Sequence, residues 1–292
     1  MPVLVTFVVF ALLPLLWLVR TSLTNDNGFL AARWVGLDNF REIGTDHAWW
    51  QSVFNSLFMA VGTIAVQVPL GVLLAVALDR KLRGRGVFRT VYFLPYIVPI
   101  SVMGIVFAFI FNPVGGIANN VLSALGAAHE PVDFFGSRLS AMLIIIVVNI
   151  WAEFGFTMLL ALAALQTIPR ELYESAALDG ASARQQFLRI TLPLMRPVLN
   201  IIFLLAIVSS MRSFDLVKTL TNGGPAGASD VMFTHIYDLF FAGPGAGGGA
   251  PRIGYASAQA VAASAIIAVV VGLYFAASRR ALYGYRGEGD ER

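Results

Sequence analysis

The sequence predicts an all-α integral membrane protein with six transmembrane helices and a helix-turn-helix loop on its cytoplasmic side. Three observations predict it. Of the 292 residues, 58% are hydrophobic and only 13% are charged, about half the charge of an average soluble chain. The mean hydropathy is +0.75. Six apolar runs are long enough to cross a bilayer, which takes about 20 residues in a helix, and a polar, helix-prone segment at 171–193 lies between the fourth and fifth.

The runs are Val3–Val19, Val53–Leu78, Thr90–Phe111, Leu139–Gln166, Val198–Val217 and Ala256–Ala277. Their length excludes a β-barrel, whose strands need about 10 residues of alternating polarity. The first run begins almost at Met1. It has neither the basic leader nor the small-residue cleavage site of a signal peptide, so a retained first span is expected, and Met1 need not be the true start. The third run carries Pro95 and Pro99, which are expected to kink it. The fourth contains one acid, Glu153, and the fifth carries Arg212 and Asp215 near its end.

This gives a chain organised as a first span (1–20), an outer loop with an interfacial helix (21–52), a five-helix core (53–278) containing a cytoplasmic loop at 167–196, and a tail (279–292). Basic residues set the orientation. Arg80, Lys81, Arg83, Arg85, Arg89, Arg170, Arg184, Arg189, Arg196, Arg279, Arg280, Arg286 and Arg292 fall on one side, and the remaining seven of the twenty on the other. Both termini are therefore expected in the cytoplasm, in a bacterial plasma membrane. Arginine far outnumbers lysine, and alanine and glycine are abundant, which reads as a high-GC bacterial source. Residues 33–43, RWVGLDNFREI, suit an interfacial helix. Residues 221–225, TNGGP, suit a turn. Residues 242–251, AGPGAGGGAP, suit a mobile loop.

With no cysteine, thiolate and disulfide chemistry is excluded. His47, His129 and His235 have no metal-ligand spacing, and neither a Ser-His-acid set nor a phosphate-binding glycine loop is present. The chain is expected to bind no cofactor and no nucleic acid. Asn55 and Gln67 are expected to make helix-helix hydrogen bonds.

The segment ELYESAALDGASARQQFLRITLP (171–193) reads as a hook. Pro169 permits a helix start and the residues after it are good helix formers. Gly180 breaks the run, a second short helix follows, and Pro193 is expected to end it before the fifth span. Tyr173, Leu178 and Phe187 would project apolar groups that need a partner. A plain solvated loop is the bland alternative; a docking hook for a cytoplasmic subunit is the sharper one.

The segment YESAALDGASARQQFLRITLP resembles the EAA loop of ATP-binding-cassette (ABC) importer permeases, with Glu174, Ala176, Asp179, Gly180, Ala181, Phe187, Leu192 and Pro193 matching and Ser175 departing from the usual alanine. VGLDNF (35–40), RGRGVFRTVYFLPYIVP (83–99), FNPVGGIANNVL (111–122), ALQTIPRELYE (164–174) and TNGGP (221–225) extend the resemblance over nearly the whole chain. They are similar to maltose-transporter-type sugar permeases, in particular the first of the two permease subunits, in the shorter six-span form.

The resemblance implies partners: a second sugar permease, an ATPase dimer carrying ATP and Mg, and an extracellular solute-binding protein or lipoprotein. It implies that ATPase closure moves the hook and switches the permease between inward- and outward-facing states, with Gly180 as the hinge. Glu174 would pair with a basic group of the ATPase, a contact worth less than about 1 kcal/mol when exposed, so the fit of Tyr173, Leu178 and Phe187 should count for more.

A sugar site is expected where depths agree. Glu153 lies about 21 Å up the fourth span and Ser210 about 20 Å up the fifth, at 1.5 Å per residue. Ser210 and Ser213 should share one helix face, as should Glu153 and Phe156. A ring, a carboxylate and hydroxyls at one depth suit a sugar. In the maltose-type permease the matching segments line the sugar site, with a glycine where Glu153 stands. Glu153 is expected either to contact sugar or to pair with Arg212. Phe156 and the serines favour a neutral oligosaccharide; a disaccharide such as trehalose or maltose is expected, as in an actinobacterial importer. Arg212 would favour glycerol 3-phosphate, and an amino sugar is a further alternative. An ion-coupled secondary transporter and a membrane-embedded enzyme are the rivals of another class; a single Glu with a single Arg is thin for the first, and the candidate catalytic groups do not cluster for the second.

Overall fold

The computed structural model describes residues 2–79, 83–128, 130–241 and 249–283. Helices dominate, and among the described residues the extended pairing is limited to an isolated bridge between Thr24 and Trp34. The helices are α1 (Val3–Thr21), α2 (Asp38–Thr45), α3 (His47–Asp79), α4 (Arg85–Ile97), α5 (Ile100–Ile110), α6 (Ile117–Ala124), α7 (Arg138–Leu165), α8 (Arg170–Leu178), α9 (Ala183–Met211), α10 (Asp215–Leu220), α11 (Met232–Phe241) and α12 (Ile253–Tyr283). Five of them (α1, α3, α7, α9 and α12) are long and apolar enough to span a membrane, and the α4–α5 pair gives a sixth crossing if counted as one.

That pair carries the kink expected of the third span, and it comes from one of the two prolines. α4 and α5 meet at 93°. Val98 lies in the extended region (φ −72°, ψ 131°), because the ring of Pro99 clashes with a helical residue before it. Pro95 stays inside α4 and accepts the Val98 N–H at 3.2 Å. Pro99 breaks the helix; Pro95 does not.

The centre is the pair α3 and α7. α7 starts at a reciprocal cap in which Ser137 Oγ accepts the Ser140 N–H and Ser140 Oγ accepts the Ser137 N–H, satisfying two otherwise orphaned donors. Gly71 lets α3 lie against Thr157 of α7, where a Cβ would sit 2.5 Å from the threonine methyl. Gly155 lets the α4 backbone approach α7, where a Cβ would come within 2.1 Å of the Tyr92 carbonyl oxygen. Gln67 of α3 donates to Thr157 Oγ1 at 2.9 Å, the helix-helix bond expected of it. Asn55 also joins α3 to α7, accepting from Arg138 Nε, and ties α3 to a loop by donating to the carbonyls of Ala228 and Asp230.

Three apolar cores run along the bundle. One, at the end carrying α8, joins Val72 and Leu78 of α3 to Leu162 and Leu165 of α7 and Met195 and Ile202 of α9. A second, at the far end, joins Trp49, Met211, Met232 and Tyr255. A third joins Met59, Met142 and Ile145 to Leu216 and Val217 of α10. α1 runs beside α12. A helix is present in the 33–43 stretch, but it starts at Asp38 rather than Arg33, since Trp34 is held in the bridge to Thr24.

Two expectations about the fifth span fail. Pro193 does not separate the hook from it. Residues 183–211 form one helix containing a π-helical segment, Phe187–Thr191, in which the Leu192 N–H reaches back to the Phe187 carbonyl. That wider turn puts Pro193, which has no N–H to give, in the first turn of the α-helix that follows. The span then ends at Met211, with Arg212 as its cap, and Asp215–Leu220 is a separate helix. The 221–225 turn is present. The glycine-rich stretch expected to be a mobile loop lies mostly at 242–248, outside the described residues, as do Arg80, Lys81, His129 and most of the tail.

Candidate substrate site and hook

The break between α9 and α10 and the break between α4 and α5 face each other across a cavity of about 600 Å3. Glu153, Arg212 and Ser213 line it, together with Asn149, Tyr96 and Asp215, which sequence reasoning did not select. Phe156 lines an adjoining cavity of about 220 Å3 that also takes Gln67, Thr157 and Ser209. Ser210 lines neither: it is 1% exposed, and its Oγ has no partner. The expected shared face of Ser210 and Ser213 does not exist, because the helix stops between them.

Glu153 does not pair with Arg212. Its Oε1 accepts a 2.5 Å hydrogen bond from Ser209 Oγ, and the Gln67 amide lies within reach of the same carboxyl. Three polar side chains from α3, α7 and α9 therefore meet at one place in the bundle. Arg212 caps α9 on the cavity wall. Phe156 stacks flat on Tyr96, centroids 4.7 Å apart and planes 10° apart. Asn149 precedes Glu153 by one helical turn, and that spacing was the available signal for it. Tyr96 sits inside the FLPYIVP stretch, and only the three-dimensional break brings it to the site.

The hook consists of α8, a turn, and the first turns of α9. Gly180 has φ +78°, the left-handed region open to glycine, with nothing within 4 Å of a Cβ there. The second helix is capped by Ser182, whose Oγ accepts the Gln185 N–H while Gln185 Oε1 accepts the Ser182 N–H. Leu178 is 91% exposed, as expected of a docking residue. Glu174 and Asp179 are also exposed, and Ala176 is half-buried.

Tyr173 and Phe187 do not project. Both are half-buried against the core at the hook end, and the Tyr173 hydroxyl bonds to Thr191 Oγ1 at 2.9 Å. With Asp79, Arg170 and Gln186 they line a cavity of about 510 Å3 at the base of the hook. They fasten the hook to α3, α7 and α9.

At the far end a second polar cluster is buried, where the loop residue Asp46 and His235 of α11 meet the first turns of α12. Asp46 accepts from Tyr255 at 2.6 Å and from Gln259 at 3.3 Å, and lies 4.0 Å from His235. Burial alone would raise the Asp46 pKa, but the bonds from Tyr255 and the Trp49 N–H outweigh it and the net shift is downward. Burial lowers the pKa of His235. Asp230 accepts from Thr234 at 2.9 Å, and burial pushes its pKa up to about 6. Asp238 pairs with Lys218. Among the described residues no three His, Asp or Glu side chains converge as metal ligands.

The family described as "Binding-protein-dependent transport system inner membrane component" matches residues 67–283. The trehalose/maltose transport system permease protein MalF of Thermococcus litoralis is 35% identical over 230 residues, covering 78% of this chain and 77% of that one. The crystal structure of a bacterial ABC transporter involved in the import of the acidic polysaccharide alginate contains a chain that superimposes with a TM-score of 0.82 at 26% identity, covering 96% of this chain and 93% of that one. A bacterial alginate ABC transporter in complex with an alginate pentasaccharide-bound periplasmic protein gives 0.81 at 26% identity, covering 96% and 92%. The family match to most of the chain, the 35% identical permease and the superposition agree: the chain belongs to the family of inner-membrane permease subunits of binding-protein-dependent ABC importers.

Proposed function

We propose that this permease imports a neutral disaccharide such as trehalose or maltose, forming half of the translocation path with a second permease subunit. The observation that carries the reading is the 600 Å3 cavity at the facing helix breaks, with a carboxylate, an amide and a hydroxyl on its wall and the Tyr96–Phe156 ring pair at its edge. Its volume falls in the ~300–1,000 Å3 range of small-ligand sites. Rings suit the apolar face of a sugar, and Glu153, Asn149 and Ser213 suit its hydroxyls. The similarity to the trehalose/maltose permease of Thermococcus litoralis supports the same class of substrate.

In this reading the hook lies in the cytoplasm, as the arginine distribution implies, and docks by Leu178 on an ATPase dimer that supplies ATP and Mg. A solute-binding protein delivers sugar to the far end, a role supported by the periplasmic protein bound to the similar alginate transporter. Both termini are cytoplasmic. An anionic substrate, a sugar acid or glycerol 3-phosphate, is the second reading, favoured by Arg212 on the cavity wall.

The test is reconstitution of the complete importer in proteoliposomes with labelled trehalose, maltose and glycerol 3-phosphate. Uptake of a disaccharide that requires ATP and the solute-binding protein is expected. Uptake driven by a proton gradient without ATP would overturn the reading, and uptake of glycerol 3-phosphate alone would favour the second.

A further inference from the structure

The two cavities are stacked along the spans. On α7 the large one reaches Asn149 and Ala152 and the small one Thr157 and Leu160; on α9 the large one reaches Val208 and the small one Ile202 and Ala206. Both progressions run toward the hook, so the small chamber lies below the large one. Tyr96, Glu153, Leu205 and Ser209 belong to both and form the neck between them.

Two contacts close that neck. Ser209 bonds to Glu153 at 2.5 Å, joining α9 to α7. Tyr96 stacks on Phe156 at 4.7 Å, joining α4 to α7. The large chamber, about 600 Å3, accommodates a small ligand; the small one, about 220 Å3, falls below the ~300 Å3 at which such sites begin. A ligand seated above cannot go through until the neck widens.

We infer that this neck is a gate and that Tyr96 is its moving leaf, a ring that holds the place of the substrate on Phe156. Glu153 and Ser209 sit on long spans whose neighbours fix them. Tyr96 is one residue from the end of α4, immediately before the 93° break. Its side chain is 43% exposed, and its hydroxyl has no hydrogen-bond partner among the described residues. The flat stack covers the face of Phe156 that a sugar ring would use, so a sugar must displace Tyr96 to bind there. Displacement opens the neck in the same step, which makes the opening conditional on an occupied site. This last step rests on the sugar reading of the large chamber; the gate itself does not.

The absence of cysteine allows a direct test. Ala206→Cys puts a thiol in the small chamber alone, and Val208→Cys puts one in the large chamber alone. Each is placed in the complete complex in nanodiscs and reacted with a small charged methanethiosulfonate added on the side of the large chamber. Labelling of this chain is followed by mass spectrometry. Adding Tyr96→Ala should raise the Ala206→Cys labelling rate at least about 10-fold, a barrier change of about 1.4 kcal/mol. Tyr96→Phe should leave it unchanged, and Val208→Cys should react alike in all three backgrounds. Should Tyr96→Ala fail to assemble, Tyr96→Leu serves the same comparison. An Ala206→Cys rate indifferent to the ring overturns the gate.

A second arm measures the uptake KM for labelled trehalose and maltose. Tyr96→Ala should lower it several-fold, because the competing ring is gone. Faster labelling with an unchanged KM leaves the gate standing and overturns the place-holding role. Faster labelling with no uptake of either sugar by the native complex leaves the gate standing and overturns the sugar reading.

Discussion

Ser209 donates a 2.5 Å hydrogen bond to Glu153, joining α9 to α7 at the wall of the cavity. A buried carboxyl left without that donor would cost about 1–3 kcal/mol. Glu153→Gln keeps an acceptor for Ser209 and nearly the same shape but replaces the acid by an amide. The uptake KM should rise about 10-fold, with the abundance of the complex unchanged. Ser209→Ala strips the acid of its donor and should lower the thermal midpoint instead. A Glu153→Gln importer with native KM would remove Glu153 from the substrate site.

Leu178 of the hook is 91% exposed, while Tyr173 and Phe187 are held against the spans. Docking on an ATPase subunit should therefore depend on Leu178. Leu178→Ser gives up about 1.5–3 kcal/mol of apolar burial, so co-purification of the ATPase subunit should fall about 10-fold at normal permease abundance. Undiminished recovery of the ATPase would mean the contact lies elsewhere.

Gly180→Val acts differently. At φ +78° a β-branched residue is strained by about 1–2 kcal/mol although no atom obstructs its Cβ. The hook should change its angle, and ATP hydrolysis should continue while uptake is lost. Normal uptake by that variant would exclude a hinge at Gly180.

Most of the bundle is legible in the sequence because hydropathy alone marks spans: five of the six runs fall on helices long enough to cross, the fifth run overshooting its helix beyond Met211. Gly180 is legible because only a left-handed turn needs it there, and Pro99 because a proline pushes its predecessor out of the helix. The departures share a cause, which is that local signals meet tertiary geometry. Pro193 reads as a stop, yet a π turn at Phe187–Thr191 absorbs the missing N–H. Ser210 reads as a ligand, yet the helix ends one residue after it and Ser209 faces Glu153 instead. Tyr173 and Phe187 read as outward groups because their neighbours on α3 and α7 are distant in sequence. The Ser182–Gln185 capping box is visible as spacing, and it marks the start of α9.

Gly155 should be among the least replaceable positions of the bundle. A Cβ there would lie 2.1 Å from the Tyr92 carbonyl oxygen and 2.9 Å from the Phe93 Cα, both backbone atoms that no rotamer change can move. Gly155→Ala should destabilise by about 1–3 kcal/mol through overpacking and lower the thermal midpoint by about 5 °C. Gly272→Ala, with nothing within 4 Å, should leave it within about 1 °C. Equal midpoints for the two variants would contradict the close approach of α4 to α7.

Asp230 sets a pH dependence of known sign. It is 5% exposed and accepts from Thr234, and burial, with a smaller push from Asp238, raises its pKa from 3.8 to about 6. Between those values the folded chain keeps a proton that the unfolded chain has lost. Its contribution to stability is therefore full below pH 3.8 and lost as the pH rises to about 6, on the order of 3 kcal/mol in all. Asp230→Asn keeps the acceptor for Thr234 and has no proton to lose. Its advantage over the native chain should be absent at the acid end and complete above about pH 6, so the gap between their thermal midpoints should widen from about pH 4 to about pH 6 and stay level above that. His235 works in the opposite direction, since burial lowers its pKa and acid destabilises it, but it is present in both chains and cancels from the difference. A gap that stays constant across this range would show that Asp230 ionises as an ordinary surface carboxylate does.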